Sequence, residues 1–175
     1  MNKLKLYLME LRAPFFTGSV VPVLLGGAIA WRHTSRFDWP LFLLTLLGAV
    51  LIHAAANVMN DHFDHRSGND AANTEFVRPF TGGSRMIQNG LLSPREVFVE
   101  GTLLYVAGAA IGIWLALTRG LPVLYIGIIG TVTSFFYTAP PFKFVHRGFG
   151  EVFIALNFGA LIVLGAYYVQ TRTLS

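Results

Sequence analysis

The sequence predicts an all-α, polytopic transmembrane helical bundle of about five spans, with a cytoplasmic N-terminus. Three observations carry this. Of 175 residues, 54% are hydrophobic and 13% are charged, about half the charge of an average soluble domain. The apolar residues cluster in five runs, each near the 20 residues that a bilayer crossing requires. Lys and Arg are also unevenly divided: nine fall before the first run or in the second and fourth loops, and four on the other side. The richer side is cytoplasmic by the positive-inside rule.

Taken in order, the spans run from Pro14 to Trp31, Pro40 to Phe63, Val97 to Leu117, Leu121 to Thr138 and Phe149 to Val169. Lys3, Lys5 and Arg12 precede the first run, and "AIA" at 28–30 resembles a signal cleavage site. A signal-peptide core is only 7–15 apolar residues long, so the run reads as a retained helix. The pI near 9.7 would suit a nucleic-acid partner, but no basic stripe or recognition motif accompanies it. There is no cysteine, which excludes disulfides and thiolate metal sites. Glycines inside the spans read as close helix packing.

The end of the second run carries the chemistry. In "HAAANVMNDHFDHRSGND", His53, Asn57, Asn60, Asp61 and Asp64 follow helical spacing along one face. A polar stripe on a membrane helix is costly unless it faces a bundle interior or a water-filled cavity. Clustered carboxylates and amides suit a hard cation such as Mg²⁺, which bridges one or two carboxylates to phosphate oxygens. Zinc lacks a ligand set here. Alone, His53 reads as a packing or hydrogen-bonding histidine, and His146 as a loop residue.

The next stretch, "NTEFVRPFTGGSRMIQNGLLSPREV", offers Arg78 and Arg85 as bidentate phosphate clamps. Gly82, Gly83 and Ser84 could bring backbone N–H groups to an anion. "LLSPREV" starts a helix, with Ser93 as N-cap, Pro94 at the first position and Glu96 at the third. The fourth loop, "FFYTAPPFKFVHRG", adds Lys143 and Arg147 as cations and Tyr137 as an aromatic at the membrane edge.

Together, "NDHFDHRSGND", "GGSRMIQNGLLSP" and "YTAPPFKFVHRGFGE" resemble the UbiA superfamily of intramembrane aromatic prenyltransferases. The spacing Asn60, Asp64, Gly68, Asp70 is similar to the menaquinone branch, which prenylates 1,4-dihydroxy-2-naphthoate. The resemblance implies transfer of a polyprenyl group from its diphosphate to an aromatic acceptor in quinone biosynthesis. It implies Mg²⁺ held by Asn60, Asp64 and Asp70, with Asn57 nearby and Asp61 as a neighbour. Arg78, Arg85, Lys143 and Arg147 would meet the diphosphate, and Tyr137 would face the allylic cation. The implied setting is the inner or plasma membrane, with the active-site loops cytoplasmic.

The family has about nine helices and a second aspartate-rich motif. Residues 1–175 are expected to form a single membrane domain similar to the first five helices, since after Glu100 the only acidic residue is Glu151. A non-catalytic lipid- or quinone-binding subunit, completed by self-association or a second membrane subunit, is one alternative. A small cation transporter is another.

Overall fold

The computed structural model describes residues 2–77 and 82–174, apart from the side chain of Ala71. Every regular element among them is helical. A short helix α1 (Lys3–Glu10) ends where Arg12 turns left-handed at φ 56°. One 3₁₀ turn, Ala13–Phe16, leads into α2 (Thr17–Thr34). Helix α3 (Trp39–Ser67) starts on an Asp38 N-cap, whose side chain accepts the Leu41 N–H at 3.1 Å. It stops at Gly68, whose φ of 78° ends the helix cheaply. A four-residue helix α4 (Asn69–Ala72) follows.

Helix α5 (Pro94–Arg119) begins with the expected capping box: Ser93 and Glu96 satisfy each other's backbone N–H groups at 3.2 and 2.8 Å. Gly120 separates it from α6 (Leu121–Phe135). The last long helix comprises α7 (Gly150–Ile154), a π-helical stretch at Ala155–Leu161, and α8 (Ile162–Thr171).

Four stretches are long and apolar enough to cross a membrane: Lys3–Thr34, Trp39–Ser67, Pro94–Arg119 and Gly150–Thr171. The remaining expected span, α6, is apolar but 15 residues long. The chain is an integral membrane protein. Its outer surface agrees, because Leu24, Ile29, Leu103, Val106, Leu117 and Ile129 are exposed where water would penalise them and lipid would not.

Packing is closest between α3 and α5, and between α2 and α8. Small residues allow it. A Cβ on Gly26 would lie 2.5 Å from the Val163 carbonyl oxygen, and one on Gly108 would lie 2.7 Å from Ile52 Cδ1. At the end of the bundle away from the polar stripe, Arg119 pairs with Asp38 at 3.1 Å. There Gln170 exchanges hydrogen bonds of 2.8 and 2.9 Å with the Asp38 backbone. This clamp ties that end together, and the opposite end carries the polar groups.

Candidate active site

A cavity of about 1220 Å³ runs between the helices. At one end Asn57, Asn60, Asp64, Asn69, Asp70 and Asn73 line it. Beyond them the wall is mostly apolar and includes Val23, Ile111, Leu115, Val123, Ile128 and Val169. Polar mouth and apolar interior are thus parts of one space.

The stripe on α3 supplies the mouth. Asn60 Nδ2 donates to Asp64 Oδ2 at 3.0 Å, leaving the Asn60 carbonyl oxygen outside that bond. Among the described residues, Asp64 Oδ1 is buried without a hydrogen-bond partner, an arrangement a buried carboxylate oxygen rarely keeps without a ligand or water. Asp70 joins from α4. Its Oδ2 accepts from Gln88 Nε2 at 2.7 Å. Burial, then the neighbouring Asp61 and Asp64 carboxylates, push the Asp70 carboxyl up to about 6, against the opposing pull of Arg85 and Gln88.

This donor set fits a hard divalent cation. Two carboxylates and an amide oxygen line one mouth, and Mg²⁺ takes few protein ligands when phosphate oxygens and water complete its shell. Among the described residues, no three His, Cys, Asp or Glu side chains converge on one metal position. A cage built wholly of such side chains is therefore not what these residues provide.

Asp61, although next to Asn60, turns elsewhere. It is 3% exposed and accepts the Ser84 N–H on Oδ2 at 2.6 Å. Arg12 Nη1 lies 4.0 Å from its Oδ1. Ser84 Oγ in turn donates to Glu10, which is fully buried at the end of α1. Glu10 and Gln88 have no assigned role in the sequence, and Arg12 reads there as a cation before the first run. An acid and an arginine within "LYLMELRAPFF" were the available signal for two of them.

The cations are placed unevenly. Arg85 spends its guanidinium on backbone, donating to the carbonyls of Asp70 at 3.0 Å and Asn73 at 2.5 Å while stacking on Phe76. It therefore shapes the 70–76 loop. Lys143 is half-buried at φ 46°, and Arg147 is exposed and bonds to the Pro141 carbonyl. Arg85, Lys143 and Arg147 are not on the cavity wall, whereas Arg12, His146 and Tyr137 are. Burial, with Glu151 and Asp64 nearby, raises the Tyr137 phenol above its ordinary value. Arg78 lies outside the described residues.

Residues 19–175 match the UbiA prenyltransferase family. The chain is 30% identical to the 2-carboxy-1,4-naphthoquinone phytyltransferase of Synechocystis sp., over 98% of its own length and 53% of that protein's. It is 33% identical to the UbiA prenyltransferase domain-containing protein 1 homolog of Drosophila melanogaster, over 97% and 46%. With the 1,4-dihydroxy-2-naphthoate octaprenyltransferase of Bacillus subtilis it shares 27% identity, over 89% and 48%. The chain spans about half the length of these curated relatives. A match over this much of the chain, on helices that place the Asn–Asp stripe at the mouth of an apolar cavity, makes the chain a member of the UbiA prenyltransferase family.

Proposed function

We propose that the chain takes part in Mg²⁺-dependent transfer of a polyprenyl group from its diphosphate to an aromatic acceptor of the dihydroxynaphthoate type, in quinone biosynthesis. One observation carries the reading: the Asn60, Asp64 and Asp70 oxygens stand at the mouth of a cavity whose interior is apolar. The headgroup and the tail of a prenyl diphosphate need those two environments side by side.

In the reaction the allylic C1–O bond breaks and its electron pair leaves with the diphosphate. The acceptor ring forms a C–C bond to C1 and releases H⁺ or CO₂ from the attacked carbon. Asn60, Asp64 and Asp70, with Asn57 nearby, would hold Mg²⁺, which supplies positive charge at the leaving group. Arg12 and His146 line the mouth and add cationic or hydrogen-bonding partners for phosphate. Arg78, Lys143 and Arg147 are proposed to guide the anion toward it. Tyr137 offers its ring to the allylic cation, a contact worth about 0.5–2 kcal/mol. The Lys and Arg count supports a mouth on the cytoplasmic side of the cell membrane.

Residues 1–175 are proposed to act as one membrane domain.

The test is binding of geranylgeranyl diphosphate to the purified chain, with and without MgCl₂, for wild type and Asp64→Asn. Mg²⁺-dependent binding that the variant loses supports the reading. Absence of binding by wild type in both conditions rejects it.

A further inference from the structure

Deeper than the metal-binding oxygens, the cavity holds a second polar feature. His53 is seven residues before Asn60 on α3, about 10 Å further into the bundle at 1.5 Å per residue. Its Nδ1 hydrogen-bonds Ser19 Oγ at 2.7 Å, and Ser19 is fully buried, so the ring is held in one orientation. Phe16 meets the ring edge-on at 5.6 Å, and Phe158 lies tilted against it at 4.7 Å. Phe158 belongs to the π-helical stretch of the last span, a distortion that recurs at functional sites.

His53 lines the cavity, and its Nε2 has no hydrogen-bond partner among the described residues. One turn nearer the mouth, Asn57 donates Nδ2 to the Leu11 carbonyl at 3.1 Å. Asn57 also lines the cavity, so its amide carbonyl oxygen can meet a ligand there. The wall beside them is Gly18, Val23, Ala49, Ile52 and Ala56. Polar atoms in such a wall are costly unless a ligand or water meets them, and an isoprenoid tail has nothing to offer them. A flat aromatic ring carrying hydroxyl groups does: its face or edge suits the Phe158 ring, and its oxygens suit Nε2 and the amide.

We propose that His53, oriented by Ser19 and assisted by Asn57, is the subsite for the hydroxylated aromatic acceptor. His53 Nε2 hydrogen-bonds an acceptor hydroxyl, while Phe158, on the same cavity wall, lies beside the acceptor ring. The proposal rests on the prenyl-transfer reading given above and names the place where the second substrate sits. The acceptor then lies on the interior side of the diphosphate, where the ring can approach C1 without crossing the phosphate oxygens.

The test uses the full chain in nanodiscs, with 1,4-dihydroxy-2-naphthoate, 2-naphthoate lacking the ring hydroxyls, and geranylgeranyl diphosphate with MgCl₂ as separate probes. His53→Phe keeps a ring against Phe16 and Phe158 and removes the nitrogens. It is expected to weaken dihydroxynaphthoate binding about tenfold, the usual scale of one lost buried hydrogen bond. It should erase the preference over 2-naphthoate and leave geranylgeranyl diphosphate binding within about twofold. Ser19→Ala should move the same preference part of the way, and it serves as the test if His53→Phe does not fold. Unchanged dihydroxynaphthoate binding, or equal loss of all three ligands in a folded variant, overturns the subsite. If wild type binds the diphosphate but no naphthoate, the subsite fails and the prenyl-transfer reading stands. His53-dependent naphthoate binding without diphosphate binding does the reverse, and binding of neither overturns both.

Discussion

Ser84 and Asp61 are joined at 2.6 Å, backbone N–H to Oδ2, and the residue between the loop and that contact can only be small. A Cβ on Gly83 would stand 2.5 Å from Asp61 Oδ1. The Gly–Gly–Ser segment therefore lies directly on α3, and Ser84 Oγ continues the connection to Glu10 of α1. Three chain segments meet at a buried carboxylate whose neighbours along the helix, Asn60 and Asp64, face the cavity.

Gly83→Ala should be strongly destabilising, because φ is +69° and the new methyl meets Asp61. About 2–4 kcal/mol is expected from strain and overlap together. Gly68→Ala has a similar φ of +78° but nothing within 4 Å, so it should cost about 1–2 kcal/mol. Thermal unfolding of both variants in detergent checks the difference. Equal losses would mean that the Asp61 contact contributes nothing.

Glu10→Ala removes the acceptor of a half-buried hydroxyl, and Ser84→Ala removes the donor to a buried carboxylate. Each should lower stability by about 1–3 kcal/mol. The double variant should lose less than the sum, because both changes cut one interaction. Strict additivity in unfolding measurements would refute the link.

Arg85 separates two roles that a positive charge can play. As a tie from Nη2 to both the Asp70 and Asn73 carbonyls, stacked on Phe76, it depends on a flat guanidinium face that lysine lacks. Arg85→Lys and Arg85→Ala should therefore weaken Mg²⁺-dependent geranylgeranyl diphosphate binding alike, each by about tenfold. Retention of binding by the lysine variant would show that charge alone matters.

Asp70 gives a pH signature in magnesium-free buffer. Its carboxyl is pushed up to about 6, so the folded chain holds the proton more tightly than the unfolded chain does. The stability this contributes is fully present below the ordinary carboxylate range and is lost as pH rises through about 6. Unfolding measured across that window should show the slope, and Asp70→Asn should flatten it.

Much of the fold was legible in the sequence because apolar runs and caps act locally. All five expected segments are helical, and Ser93, Pro94 and Glu96 start α5 as read. The stripe was legible too, since helical spacing alone puts Asn57, Asn60 and Asp64 on one face. Asp61 shows where that reasoning stops. Adjacent helical residues point about 100° apart, so Asn60 and Asp61 cannot both aim at the centre of one cavity, and which of them turns to the loop depends on distant Gly83 and Ser84. The engagement of Arg85 with carbonyls depends in the same way on the path of the 70–76 loop, which no periodicity encodes. The left-handed turn at Arg12, which brings Glu10 beneath the stripe, has no local signature beyond the proline two residues on.

The brevity of α6 sets a condition on the surrounding lipid. Fifteen residues rise about 22 Å, against roughly 30 Å of hydrocarbon in a typical bilayer. On that flank the acyl layer must thin, or the flanking loops must dip into it. The loop at the polar end of α6 carries Tyr137, Phe142 and His146. Acyl-chain length thus becomes a mechanical input to the mouth of the cavity, and thicker membranes would pull on the very segment that borders it.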